Sequence, residues 1–119
     1  MKVEHIFSGR THKEKENIKD CQDAFSFSEK SFAISDGASQ SFYSSIWADL
    51  LVKHYCENPS VDKINWKDWL KPIQETWLSE IKNRVENAKK EGKPSWIDNQ
   101  NRLNRFEPAT ATFIGIHFI

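Results

Sequence analysis

Asp23 and Asp36 are the residues of this chain best placed by type and spacing to do chemistry. They lie near the two ends of the stretch QDAFSFSEKSFAISDGAS, residues 22–39. Residues 24–28 alternate Phe with Ser, the pattern of a half-buried strand, and residues 32–35 predict its return, with 28–31 as a tight turn between them. In such a hairpin, the residue before the first strand and the residue after the second meet at the open end. The two carboxylates then become near neighbours, and each makes ionising the other harder. A cation or a shared proton relieves that conflict. A hard divalent ion such as Mg2+ or Mn2+ takes oxygen ligands and keeps several waters where carboxylates are few. Gly37 adds a backbone carbonyl that no side chain screens. One carboxylate, one carbonyl and several waters make a workable octahedral site. The plainer reading also stands: Asp-Gly after a strand is a common turn element, and Asp before a strand can cap a turn.

The elements that must hold these residues follow from the pattern of the chain. Residues 3–8 alternate weakly and predict a strand. The polar, charged run 9–20 predicts a loop, a solvated linker on its face. Asp36-Gly37 is expected to end the second hairpin strand, because glycine adopts backbone angles that a strand does not use. Residues 41–55 have helical spacing, with Tyr43, Trp47, Leu50, Leu51 and His54 on one side, and Asn58-Pro59 stops them. Residues 66–88 repeat the pattern through Trp66, Trp69, Leu70, Ile73, Trp77, Ile81 and Val85. Pro72 reads there as the first residue of a new helix after a short turn. Gly92-Lys93-Pro94 closes the helical segment 41–91. Residues 95–108 show no clear period and predict a loop. Residues 109–119, ATATFIGIHFI, predict an apolar strand that needs neighbours on both sides, so self-association through 109–119 is expected if it lacks them.

Composition bounds the rest. A chain of 119 residues is enough for one domain. Its 17 basic and 17 acidic residues balance, which argues against a dedicated nucleic-acid binder. A hydrophobic content of 38% is low, but five Trp and eight Phe compensate through the area each can bury. No stretch has the length of a signal peptide's apolar core or a membrane span, so a cytoplasmic protein without membrane contact is expected. Cys21 and Cys56 show no metal-ligand spacing and read as reduced thiols. No Cys/His set suits zinc.

The segments GRTHKEKENIKDCQDAF, FAISDGASQSFYSSIWADLLV and ATATFIGIHF, in that order, resemble the N-terminal half of a protein phosphatase 2C-type domain. This is the metal-dependent Ser/Thr phosphatase family, and the resemblance is nearest its bacterial branch. It implies an α+β fold of four layers, α-β-β-α, with two antiparallel sheets face to face. It also implies two ions, Mn2+ or Mg2+, at one end between the sheets, with a bridging water attacking phosphoserine or phosphothreonine. Under the resemblance Asp36 matches the family's bridging metal ligand, and Gly37 matches the residue giving a carbonyl to one ion. Asp23 matches an acid that holds metal-bound waters. Gln22 stands where many family members have Glu. Arg10 and His12 precede this motif. Arg10 could grip a phosphate in bidentate fashion, and His12 could protonate the leaving alkoxide. A solvated loop is the alternative for both.

The resemblance covers essentially the whole chain but only part of a domain. A complete family domain is about twice as long, and its remaining metal aspartates come from later strands. Asp49, Asp62, Asp68 and Asp98 lie in predicted helix or loop and do not match them. The expectation is therefore the N-terminal portion, residues 1–119, of a single phosphatase domain, with little activity alone. Its partners would be a phosphoprotein substrate and a kinase or other signalling protein. Two other readings stay open. One is a non-catalytic relative that docks a partner through an exposed Trp66/Trp69/Trp77 stripe. The other is an unrelated α/β domain in which Asp-Gly is only a turn.

Overall fold

The computed structural model describes residues 23–38 and 41–118. The predicted strand 3–8, the loop 9–20 and Cys21 lie outside the described residues. In chain order the elements are β1 (Asp23–Phe27), β2 (Ser31–Gly37), α1 (Ser44–Glu57), α2 (Trp66–Lys90), α3 (Ser95–Asn104) and β3 (Ala111–His117). The architecture is α+β. The strands form one antiparallel sheet in the order β1-β2-β3, α1 lies across one face of it, α2 packs on α1, and α3 packs on α2.

Strand pairing sorts the sheet into rows. On the face under α1 the rows are Ala24–Ser35–Phe113 and Ser26–Ala33–Gly115. These are mostly small residues, and they let the helix come close. Tyr55 of α1 lies directly over Gly115, where a Cβ would stand 2.6 Å from the ring. Ala48, Leu51, Val52 and Tyr55 fill the space between helix and sheet, and Trp69 and Ile73 of α2 complete this core. Burial pushes the Tyr55 hydroxyl pKa up, with the neighbouring Cys56 thiol adding to the shift.

On the opposite face the rows are Asp23–Asp36–Thr112, Phe25–Ile34–Ile114 and Phe27–Phe32–Ile116. Phe27, Phe32, Ile34, Ile114 and Ile116 are all exposed. No helix lies over this face among the described residues. An antiparallel sheet with one covered face usually turns its large apolar side chains inward, whereas here most of the large ones lie on the outer face.

The helices depart from the expected pattern in three ways. The α1 stripe of Tyr43, Trp47, Leu50, Leu51 and His54 is not its most buried side. Its buried residues are Ser44, Ala48, Leu51, Val52 and Tyr55, which face the sheet, while Trp47 and His54 make ring contacts with Trp77 and Trp69 of α2. The helix is sandwiched, so it is apolar on two sides. Second, α2 is continuous through Pro72. Proline removes one backbone hydrogen bond, but Trp69 and Ile73 on either side of it are buried. The Trp69 indole N–H also donates to the Asn58 carbonyl at 2.8 Å, and this packing carries the helix across. Third, residues 95–104 are helical rather than a loop. Trp96 and Leu103 of α3 pack on the second core of Phe42, Ile81 and Val85, and Asn99 donates to the Tyr43 hydroxyl at 3.1 Å.

Cys56 is a free, half-buried thiol. Among the described residues no helix is long and apolar enough to cross a membrane.

Candidate metal centre

The hairpin places Asp23 directly opposite Asp36. Its hydrogen-bond parity fixes which kind of pair this is. The Ser28 N–H donates to the Ser31 carbonyl at 2.8 Å next to the turn, so Ser26–Ala33 and Ala24–Ser35 are the hydrogen-bonded pairs and Asp23–Asp36 is not. Such pairs hold their Cα atoms at about 4.5 Å, with the side chains closer together than in the alternating class. Both carboxylates are exposed and lie on the outer face. Like charges set directly opposite cost on the order of 0.2–1 kcal/mol. Thr112 extends the row on the other side of Asp36. It was not among the residues singled out by sequence, and only the β2–β3 register identifies it.

Gly37 is the last residue of β2, inside the strand and not beyond it. Its φ is not positive, so conformational freedom is not why glycine stands here. The reason is closeness: a Cβ on Gly37 would lie 2.9 Å from the backbone oxygen of Ser44. Strand and helix start are thus in direct backbone contact. The same parity turns the Gly37 carbonyl toward the β1 side of β2, the side of Asp23.

A set of hydroxyl bonds anchors this end of the sheet. The Ser44 hydroxyl donates to the Ala38 carbonyl at 2.7 Å, and the Ser41 hydroxyl donates to the same atom at 3.0 Å. The Thr110 N–H donates to Ser41 Oγ at 3.0 Å, and the Ala38 N–H donates to the Thr110 carbonyl at 2.9 Å. Ser35, buried beneath, donates to the Thr112 carbonyl at 2.6 Å. Ser35, Ser41, Ser44, Thr110 and Thr112 therefore lock the β2–α1 connection to the start of β3, and with it the backbone carrying Asp36 and Gly37.

Comparison with family models, with curated proteins and with solved structures gives no match for this chain.

Two facing carboxylates and a glycine carbonyl suit a hard, oxygen-seeking divalent ion, which would complete its shell with water or further protein oxygens. Among the described residues no group of three or more His, Cys, Asp and Glu side chains gathers anywhere. The donors at this end are thus part of a ligand set. Arg10 and His12 lie outside the described residues. Asp49 sits on α1, Asp68 on α2, Asp98 on α3 and Asp62 in the α1–α2 connection. None of them lies on the sheet. His117 is hydrogen-bonded through Nδ1 to Ser31 Oγ at 2.7 Å, at the other end of the sheet from the acids.

The tryptophan stripe does not form the expected surface. Trp69 is buried, and Trp77 is half-buried with its N–H directed to the Tyr43 carbonyl at 3.3 Å; Trp66 alone of the three is exposed. The helices instead form an apolar groove of about 290 Å3, lined by Trp47, Trp77, Leu78, Leu103, Phe106 and Pro108. Phe106 beside it is 91% exposed and has φ 56°, a left-handed conformation for a residue that has a Cβ. The Arg102 guanidinium meets the Glu107 carboxylate at 2.6 Å and, with Arg105, holds that carboxyl below the usual carboxylate range. Nothing in the spacing of residues 95–108 signals this groove.

Proposed function

We propose that this chain is the N-terminal portion of a metal-dependent protein Ser/Thr phosphatase domain of the protein phosphatase 2C type, acting in the cytoplasm on phosphoprotein substrates. The observation that carries the reading is the Asp23–Asp36 pair, facing each other at the end of a sheet whose outer face is otherwise apolar. Phe25, Phe27, Phe32, Ile34, Ile114 and Ile116 are the kind of layer on which a second antiparallel sheet packs about 10 Å away. That packing would give the four-layer α-β-β-α sandwich, with the acid row at its rim.

Asp36 and the Gly37 carbonyl would hold Mn2+ or Mg2+, and Asp23 would orient its waters. When bound, such ions supply an activated water near neutral pH and offset charge on the phosphoryl oxygens. The chain's own task is placement: the Ser41, Ser44 and Thr110 bonds hold the Asp36 backbone, and the hairpin register holds Asp23 against it. On sequence grounds Arg10 is assigned to the substrate phosphate and His12 to the leaving oxygen. With two carboxylates the chain alone binds an ion weakly and turns over little.

The test is Mn2+ binding followed by electron paramagnetic resonance. Weak binding lost in both Asp36→Asn and Asp23→Asn is expected. Binding that survives Asp36→Asn, or no binding at millimolar Mn2+, would overturn the assignment.

A further inference from the structure

The edge of β3 away from β2 has a property distinct from the acid row. Among the described residues β3 pairs only with β2. The Ala38 N–H donates to the Thr110 carbonyl, and the Phe118 N–H donates to the Lys30 carbonyl, so Thr110, Thr112, Ile114, Ile116 and Phe118 turn their backbone groups toward β2. Ala111, Phe113, Gly115 and His117 therefore present their N–H and C=O groups along the other edge, which is open among the described residues. Proteins blunt such edges with lysine, proline, a bulge or an inward charge. Residues 111–117, ATFIGIH, contain no lysine, no proline and no carboxylate, and their pairing with β2 runs without a bulge.

We propose that β3 is a self-pairing edge, through which two copies of this chain join antiparallel about a two-fold axis at Ile114. The strand is complementary to itself about that residue. Reversed on itself, it sets Phe113 opposite Gly115 of the second copy, Thr112 opposite Ile116, and Ile114 opposite Ile114. On the face under α1 a large side chain thus meets the position where no side chain exists. The Tyr55 ring already covers Gly115 and stands 5.4 Å from Phe113 of its own chain, so the incoming Phe113 joins an aromatic cluster. On the outer face three β-branched pairs align, the cross-strand combination that antiparallel sheets favour. No carboxylate or lysine meets its like.

The backbone parity agrees with this register. Phe113–Gly115 and Ala111–His117 become hydrogen-bonded pairs, using the groups that the edge leaves open. Ile114–Ile114 becomes the closer, non-hydrogen-bonded pair, where its 64% exposed side chain gains most. The product is one continuous six-stranded sheet, with the two copies of α1 on the same side. Thr112 of one copy lies beside Ile116 of the other, so the two acid rows stay at opposite ends. The pairing is therefore independent of the metal reading, and either can fail alone.

Sedimentation velocity of the full chain over a concentration series tests it. A dimer is expected for the wild type. Ile114→Lys, which puts two ammonium groups at the axis, should weaken association at least tenfold. Ile34→Lys, on the same outer face but on the central strand, should leave the dimer intact. A second measurement does not depend on tolerating a lysine. Ile114→Cys with Cys21 and Cys56 replaced by Ser should form a disulfide dimer on mild oxidation, because paired residues at this kind of site lie within bridging distance. A monomeric wild type, a dimer unaffected by Ile114→Lys, one lost in Ile34→Lys as well, as face-to-face stacking of the outer faces requires, or no disulfide from Ile114→Cys would each overturn the proposal.

Discussion

The two faces of the sheet are made from the same three strands and obey opposite rules. Under α1 the strands present Ala24, Ser26, Ala33, Ser35 and Gly115 beside the larger Phe113, and over the small residues the helix lies almost on the backbone. Away from α1 they present Phe25, Phe27, Phe32, Ile34, Ile114 and Ile116, and no helix lies over them among the described residues. Small side chains mark where a neighbour is already close, and large ones mark where a thick apolar layer can be added. The acid row belongs to the second face, so whatever reaches the acids approaches from the side that the helices leave open.

The largest expected effect breaks the covered face. Gly115→Ala places a methyl group 2.6 Å from the Tyr55 ring, and such overpacking should cost about 1–3 kcal/mol in urea unfolding. Ile34→Thr on the open face should cost less than about 1 kcal/mol, as surface substitutions do. A loss of about 3 kcal/mol at Ile34 would mean that this face is buried in solution, and the contrast would collapse. Asp36→Asn sharpens it from the other end. Removing one of two opposed charges should stabilise the metal-free chain by about 0.2–1 kcal/mol, and should abolish any rise of Tm with added Mn2+, since a ligand stabilises only through the state that binds it. Destabilisation by Asp36→Asn would argue that the carboxylate has a structural partner. The smallest effect lies away from both faces. The folded-state pKa of Glu107 is lowered by its hydrogen bond to Arg102, so its contribution is present above the ordinary carboxylate pKa and is lost as pH falls through the lower, folded value. Hydrogen exchange at the end of α3 should accelerate only in that acid range, and Glu107→Gln should remove the acid step while leaving both sheet faces unchanged.

Much of the scaffold was legible in the chain. Phe-Ser alternation gave β1, the turn fixed the partner of Asp23, and the run of Thr, Ile and Phe gave β3. Steps of three and four gave α1 and α2. The failures share a cause, which is that tertiary contact decides them. α3 turns only Trp96 and Leu103 inward among polar neighbours, too few for a visible period. Pro72 reads as a helix start until Trp69 and Ile73 are seen buried on both sides of it. Gly37 does end β2, but the reason for glycine there is the Ser44 backbone against it and not its own φ. Which alternation in β2 faces the helix could not be read either, because α1 selects the small residues and sequence patterning favours the large. Of the candidate site, Asp23, Asp36 and Gly37 come together at one end of the sheet, and Thr112 joins them only through pairing across most of the chain.

The turn between β1 and β2 has a consequence for the acids at the far end of the hairpin. Side chains alternate with period two, so an inserted residue that slipped β1 by one position would carry Asp23 to the helix side and bring Ala24 opposite Asp36. The separation of the two carboxylates is thus written as a length, in the residues from Ser28 to Ser31, none of which touches them. A lineage could tune or erase the site by editing that loop alone, and every residue at the site would remain in place as a poor witness to the change.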